Sequence, residues 1–322
     1  MPFVSRTDAE LAESRIPLIA IVGPTAIGKT ALGVDIAERF GGEIVSADSR
    51  QFYRMMDIGT AKPTPEELRH APHHLIDIAD PDETVGLARF LRLARTAIAD
   101  IHARGKLPLL VGGTGQYVRA LLRGWRVPEV PPDEALRAEL EEQGERDPEG
   151  LWDRLMRIDP AAAEFIHPNN IRRVVRALEV SLKSGVPFSD LRRRIPPPYR
   201  VLKLGLTMDR AALYARADAR VDAMMAAGLL QEVARLLQRG YDWDLPAMSG
   251  LGYGQFRPFF ERKATLEEVV ERIKLDTHDF IRRQYTWFRP SSPDIHWYAA
   301  TDPHTPECAR REVKAFLEAE GS

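Results

Sequence analysis

The chain has 322 residues, with 45 Lys and Arg against 47 Asp and Glu, a formal charge of −2, and 44% hydrophobic residues. That composition excludes a disordered chain, shows no global basic excess to mark a nucleic-acid binder, and holds no apolar run near the ~18 residues of a membrane span. The single cysteine, Cys308, excludes an internal disulfide and a Cys-rich zinc site and is read as a bystander; the charged first fifteen residues lack the apolar core of a secretory signal, so a cytoplasmic location is expected.

In chain order, Leu18–Val22 is a branched-aliphatic run that predicts a buried strand. A glycine-rich turn follows, then helical spacing over Thr30–Phe40 that stops at Gly41 and Gly42. Glu43–Ala47 reads as the next strand and Leu75–Ile78 as another. Thr84–Arg104 reads as a long helix ended by Gly105, and Pro108–Val111 as a buried strand. Such alternation predicts an α/β fold, a parallel sheet of the phosphate-loop NTPase type with helices on both faces and ligands beyond the carboxyl ends of the strands.

From Arg126 to Pro132 a proline-rich connector breaks this pattern, and the following seventy or so residues read as a mainly helical insertion. Its first part, Asp133–Gly150, holds eight acids against Arg137 and Arg146. Its second part, Asn170–Lys203, holds nine bases, Arg192, Arg193 and Arg194 among them, against Glu179 and Asp190. The expected organisation is thus a core at 14–125 and 201–322 interrupted by an insertion at 126–200. In the second core segment, Val201–Leu206 reads as a returning strand, Arg210–Arg239 and Leu266–Arg283 as helical, and Ile295–Tyr298 as a final strand.

Gly23-Pro24-Thr25-Ala26-Ile27-Gly28-Lys29-Thr30 fits the phosphate-loop pattern, with the required strand before it and helix after it. Backbone N–H groups and the positive helix end would cradle a polyanion, Lys29 would add a mobile charge, and the Thr30 hydroxyl could hold Mg²⁺. The Pro108–Val111 strand ends in Gly112-Gly113-Thr114 rather than in an acid, which argues against motor-type ATP hydrolysis. Asp48, just past the second strand, is a candidate general base; a helix or turn cap, or a water-mediated Mg²⁺ ligand, are the alternatives. Thr114 brings a hydroxyl to the same region, although strand-end threonines are commonly caps.

These residues carry a family resemblance. Gly23–Thr30, Ser46-Ala47-Asp48-Ser49-Arg50-Gln51-Phe52-Tyr53 and Met56-Asp57-Ile58-Gly59-Thr60-Ala61-Lys62-Pro63 resemble the bacterial tRNA dimethylallyltransferases. Pro72–Asp77, Leu110–Tyr117, Ile166–Asn169, Arg176–Val180 and Arg283–Arg289 agree in order, so the resemblance spans nearly the whole chain. It implies transfer of a dimethylallyl group from dimethylallyl diphosphate to the N6 amine of the adenosine 3′-adjacent to a tRNA anticodon, with Mg²⁺ as cofactor and without ATP hydrolysis. It further implies that the loop, Lys29 and Arg220 hold the diphosphate, that Asp48 takes the amine proton and that Thr114 orients a reactant. The tRNA would be gripped by Asp48, Ser49, Arg50, Gln51 and Thr114, by Arg137 and Arg172, Arg173, Val174, Val175 and Arg176, by Ser249, Gly250, Leu251, Gly252, Tyr253 and Gly254, and by Arg282, Arg283, Gln284 and Arg289.

Arg216 and Arg220 share one helix face at i and i+4, so either could meet the diphosphate or both could be surface residues. The basic stretch could contact anticodon-stem phosphates or form a solvated face. Two positions depart from the family pattern: Gly254 stands where a basic residue usually follows the Gly-Tyr pair, and Ile27 where a small residue is common. The lack of a Cys/His zinc module matches bacterial members. A monomer is expected. The alternatives weighed are a phosphate-loop small-molecule kinase and a non-catalytic RNA-binding protein.

Overall fold

The computed structural model describes residues 15–319 except 129, 131–132 and 192–194. The N-terminal stretch read for a secretory signal (residues 1–14), Pro131 and Pro132 of the connector, and Arg192, Arg193 and Arg194 of the basic stretch lie outside the described residues. Those that are described divide into two compact units. One is built from the residues up to Gly86, Phe90–Arg119 and the chain from Pro198 onward, and the other from Leu87–Arg89 and Ala120–Pro197.

In the first unit β1 (Ile16–Val22) leads through the phosphate loop into α1 (Lys29–Phe40), and β2 (Gly42–Ser46) follows. Next come α2 (Pro65–His70), a two-residue β3 (His73–His74), α3 (Leu87–Ala103), β4 (Leu107–Val111) and α4 (Gly115–Leu122), of which Leu87–Arg89 of α3 and the last residues of α4 from Ala120 are counted with the second unit. Every residue of β2 and β4 is buried, as are Leu18–Val22 of β1. Successive strand residues point to opposite faces, so both faces of this sheet are covered, and continuous apolar runs are what a doubly covered parallel sheet needs.

The expected strand at Leu75–Ile78 does not form. Leu75 and Asp77 have φ of 64° and 55°, a left-handed backbone that ends the extended run, and the strand pairing falls instead on His73 and His74 beside Ile44 and Val45. Side-chain pattern alone could not show those two turns.

The second unit is helical: α5 (Glu134–Arg146), α6 (Pro148–Ile158), α7 (Pro160–Ala163), α8 (Ile171–Ser184) and α9 (Phe188–Leu191). Leu140, Leu151, Leu155, Ile166, Val174, Val175 and Leu178 form its core. Asp133, Asp147 and Asp159 cap α5, α6 and α7 by accepting from Leu136, Gly150 and Ala162. The acidic run is in part a series of helix starts. The sequence set this insertion at 126–200.

The chain then returns as β5 (Tyr199–Thr207), α10 (Arg210–Ala226), α11 (Leu229–Gln238), α12 (Arg257–Phe260), α13 (Leu266–Trp287), β6 (His296–Ala299) and α14 (Thr305–Glu318). Gly228, at φ 99°, separates α10 from α11. Among the described residues the six strands form one parallel sheet in the order β3-β2-β4-β1-β5-β6. No helix among those residues is long and apolar enough to cross a membrane.

Candidate active site

Register decides what meets at the carboxyl ends of the strands. Ile21 lies beside Val111 and Val111 beside Ser46, so β1, β4 and β2 end level. The segments leaving them, Gly23–Thr30, Gly112–Thr114 and Ala47–Gln51, are therefore delivered to one place, where the strand order also switches. Gly112 runs so close to the exit of β2 that a Cβ there would lie 2.3 Å from the Ala47 carbonyl oxygen.

In the phosphate loop Ala26 and Gly28 adopt φ of 61° and 106°, the left-handed turns from which anion-binding backbone nests are made. No side chain caps the start of α1, so its first N–H groups remain for a ligand. Lys29 Nζ donates to the Pro24 carbonyl at 2.6 Å. Burial pushes its ammonium down to about 8; Asp48 opposes the shift and Arg220 adds to it. Arg220 is itself held below the ordinary arginine range, chiefly by burial, with Asp48 opposing and Arg216 reinforcing. Lys29, Asp48 and Arg220 thus form one electrostatic group.

Asp48 Oδ1 accepts the Arg50 N–H at 3.0 Å, so the turn-cap role weighed above is present. Thr114 Oγ1 accepts the Ser49 N–H at 3.2 Å while its own N–H donates to Ala47, tying the exits of β4 and β2 together. Two cavities open here. One of about 590 Å³ is walled by Thr25–Ala31, Gln51, Lys62, Glu67, His73 and Arg216. The other, of about 610 Å³, is walled by Ser49, Arg50, Thr114, Val221, Met224, Leu251, Phe280, Arg283 and Trp287. Thr25, Ala26, Asp48, Thr60 and Arg220 line both. Both arginines therefore reach the phosphate-loop cavity, Arg216 on one side of it and Arg220 at the junction.

The expected tRNA residues divide into several groups. Ser249, Leu251, Gly252 and Gln284 also line the larger cavity, whereas Gly250, Gly254, Arg282 and Arg289 line neither. Arg282, Arg283 and Arg289 are exposed, as are Arg172 and Arg173. Arg137 and Arg176 both donate to Glu179, which is fully buried; burial opposes its ionisation, but bonds from the Asp133 N–H, Arg176 and Arg137 outweigh it and hold the carboxyl below its usual range.

Three residues need correction. Val174 and Val175 are core residues of the helical unit, because they occupy the apolar stripe of α8. Tyr253 is 1% exposed and donates its hydroxyl to Glu232 at 2.7 Å, so it shapes its loop from beneath. Burial, followed by the nearby Glu232, raises its phenol well above the usual range.

Glu232 went unremarked in the sequence. Its buried carboxylate also accepts the N–H groups of Asp57 and Ile58 at 2.9 Å and of Gly59 at 3.2 Å, stapling the Asp57–Pro63 motif to α11. Gly59 is obligatory there, since a Cβ would sit 2.6 Å from the Tyr253 ring. A signal existed: Glu232 interrupts the apolar stripe of Leu229, Val233 and Leu236, and a charge on a buried face needs partners.

An anion cradle that shares its carboxylate with a second, partly apolar cavity is the arrangement of a phosphate-loop group transferase. Comparison with known proteins narrows that class. The family model described as IPP transferase matches residues 51–291, and that described as isopentenyl transferase matches 16–79. The chain is 63% identical over 273 residues to a tRNA dimethylallyltransferase of Chloroflexus aurantiacus, covering 84% of this chain and 92% of that protein. With that of Thermomicrobium roseum it is 52% identical over 307 residues, 95% and 93% of the two chains. Among solved structures, the full-length tRNA isopentenylpyrophosphate transferase of Bacillus halodurans superposes with a TM-score of 0.71 at 41% identity, over 95% of this chain and 98% of that one. A eukaryotic dimethylallyltransferase acting on tRNA gives 0.79 at 30% identity, over 94% and 79%. The chain belongs to the tRNA dimethylallyltransferase family, a family of transferases, and the match does not favour a small-molecule kinase.

Proposed function

We propose that the protein transfers a dimethylallyl group from dimethylallyl diphosphate to the N6 amine of the adenosine 3′-adjacent to a tRNA anticodon, giving N6-(dimethylallyl)adenosine. The observation that carries this reading is that Asp48 and Arg220 line both cavities, so a base can act in one while a diphosphate leaves in the other. In this reaction the amine nitrogen forms a bond to the allylic carbon as that carbon's bond to the diphosphate oxygen breaks. Asp48 accepts the amine proton, and Lys29 with Arg220 meets the charge that gathers on the departing diphosphate. Thr114 holds Ser49 and hence the turn that aims Asp48.

An adenine amine is a weak nucleophile, so alignment matters as much as proton transfer. The adenosine must leave its stack to reach Asp48, which costs a few kcal/mol and is offset by a grip on its neighbours. Ser49, Arg50, Ser249, Leu251, Gly252 and Arg283 supply that grip around the larger cavity, assisted from outside it by Arg282 and Arg289. The exposed Arg172 and Arg173 supply stem-phosphate contacts. The protein works as a monomer.

The donor set fits Mg²⁺. Thr30 and Asp48 offer oxygen to the same cavity, and no group of three or more His, Cys, Asp or Glu that could hold a metal occurs among the described residues. Such a sparse oxygen set suits an ion carried largely by substrate oxygens and water. Thr30 would hold it, and it would add positive charge at the diphosphate.

Incubating the protein with Mg²⁺, dimethylallyl diphosphate and unmodified tRNA, followed by digestion and mass spectrometry, tests the reading. A dimethylallyl adenosine beside the anticodon is the expected product. ATP consumption with another acceptor and no such product would overturn it.

A further inference from the structure

Gln284 carries a role that neither its sequence position nor the family resemblance assigns. It lies on the apolar stripe of α13 after Ile273, Thr277 and Ile281, and it is 4% exposed. Both ends of its amide are engaged by backbone at the junction of the cavities. Oε1 accepts the Thr25 N–H at 2.7 Å, and Nε2 donates to the Gly113 carbonyl at 3.0 Å. One side chain thus bridges the phosphate loop leaving β1 and the Gly112–Thr114 segment leaving β4, across sequence separations of 259 and 171 residues.

The glycines opposite are shaped around it. A Cβ at Gly113 would fall 2.3 Å from Gln284 Nε2, and one at Gly115 would fall 2.3 Å from Trp287. Gly113 is not among the positive-φ residues, so its lack of a side chain answers the approach of Gln284 rather than a backbone requirement.

We propose that Gln284 is a positioning residue for the phosphate loop: it fixes the Thr25 amide and the Gly113 carbonyl, and so sets the loop geometry that receives the diphosphate, instead of contacting tRNA. A buried amide with donor and acceptor both satisfied holds two segments in one relative position. Its loss leaves a part-buried N–H and a buried carbonyl without their partner and frees the loop. The inference rests on the diphosphate reading of the loop given above.

The test is the binding of inorganic pyrophosphate with Mg²⁺, measured by calorimetry on wild type, Gln284→Met, Gln284→Ala, Gly113→Ala and Gln284→Ala/Gly113→Ala, with tRNA affinity and melting temperature measured on the same samples. Gln284→Met is expected to weaken pyrophosphate binding about tenfold, the worth of roughly one hydrogen bond, with tRNA affinity unchanged. Gly113→Ala displaces the amide without altering residue 284 and is expected to produce the same loss. The double variant removes the clash along with the amide and is expected to be no weaker than Gln284→Ala alone, a non-additivity that general destabilisation would not give. Wild type that fails to bind pyrophosphate overturns the diphosphate reading and this inference with it. Wild type that binds, together with variants that bind equally well or lose tRNA affinity instead, overturns this inference alone.

Discussion

Asp48 takes part in two things at once. Its carboxylate organises its own turn through the Arg50 N–H, and it lies within the electrostatic reach of Lys29 and Arg220 at the junction of the cavities. Asp48→Asn keeps the turn acceptor and removes the base. Turnover is expected to fall by about 10²–10⁴-fold while tRNA affinity stays within a few-fold, checked by single-turnover kinetics and filter binding. Unchanged turnover would remove Asp48 from proton transfer. Lys29 predicts a pH effect. Its folded value of about 8 lies below the ordinary 10.5, so keeping it charged costs stability below pH 8, and that cost fades as pH rises from 8 to 10.5. A bound diphosphate favours the ammonium. Pyrophosphate binding above pH 8 should therefore take up a proton and weaken as pH rises, and Lys29→Met should abolish the dependence; calorimetry in buffers of differing ionisation heat would show both. Lys29 and Asp48 were legible in the sequence because the phosphate-loop spacing is local and Asp48 directly follows a strand. Gln284 and Glu232 were not, because their partners lie far away along the chain.

At the scale of elements, β2 shows how one strand serves both site and stability. Its exit delivers Asp48, while near its start Glu43 is buried against Arg104 and His74. The Arg104 bonds, opposed by burial and aided by His74, hold the Glu43 carboxyl down to about 2 against an ordinary 4.5. Because the folded value is the lower one, this stabilisation is complete above about pH 4.5 and is lost as pH falls toward 2. Glu43→Gln should lower stability at neutral pH by about 1–3 kcal/mol and flatten its decline between pH 4.5 and 2, as measured by urea unfolding across that range. A decline of the same steepness in the variant would place the acid sensitivity elsewhere. The strands of the sheet centre were readable as continuous apolar runs. Leu75–Ile78 was misread because its left-handed residues, Leu75 and Asp77, are fixed by tertiary bonds such as that from the Asp77 N–H to the Gln51 carbonyl.

At the scale of the whole molecule the acidic and basic runs of the helical unit have different uses. Much of the acid starts helices, and Arg137 and Arg176 converge on the buried Glu179, leaving Arg172 and Arg173 exposed. Arg172→Ala with Arg173→Ala should weaken tRNA binding and reduce the steepness of its salt dependence by up to about two charges' worth, read from affinities at several ionic strengths. An unchanged slope would assign tRNA electrostatics to other residues. By itself the sequence determined the α/β class, the phosphate loop, Asp48 and the family, because strand hydrophobicity, turn spacing and contiguous motifs are properties of neighbouring residues. Only the tertiary structure decided which charges meet. The level ends of β1, β4 and β2 bring Lys29, Asp48 and Thr114 together, and packing of α10, α11 and α13 brings Arg220, Glu232 and Gln284 to them. Burial and hydrogen-bond partnership belong to contacts between distant segments, and those exist only once the chain has folded.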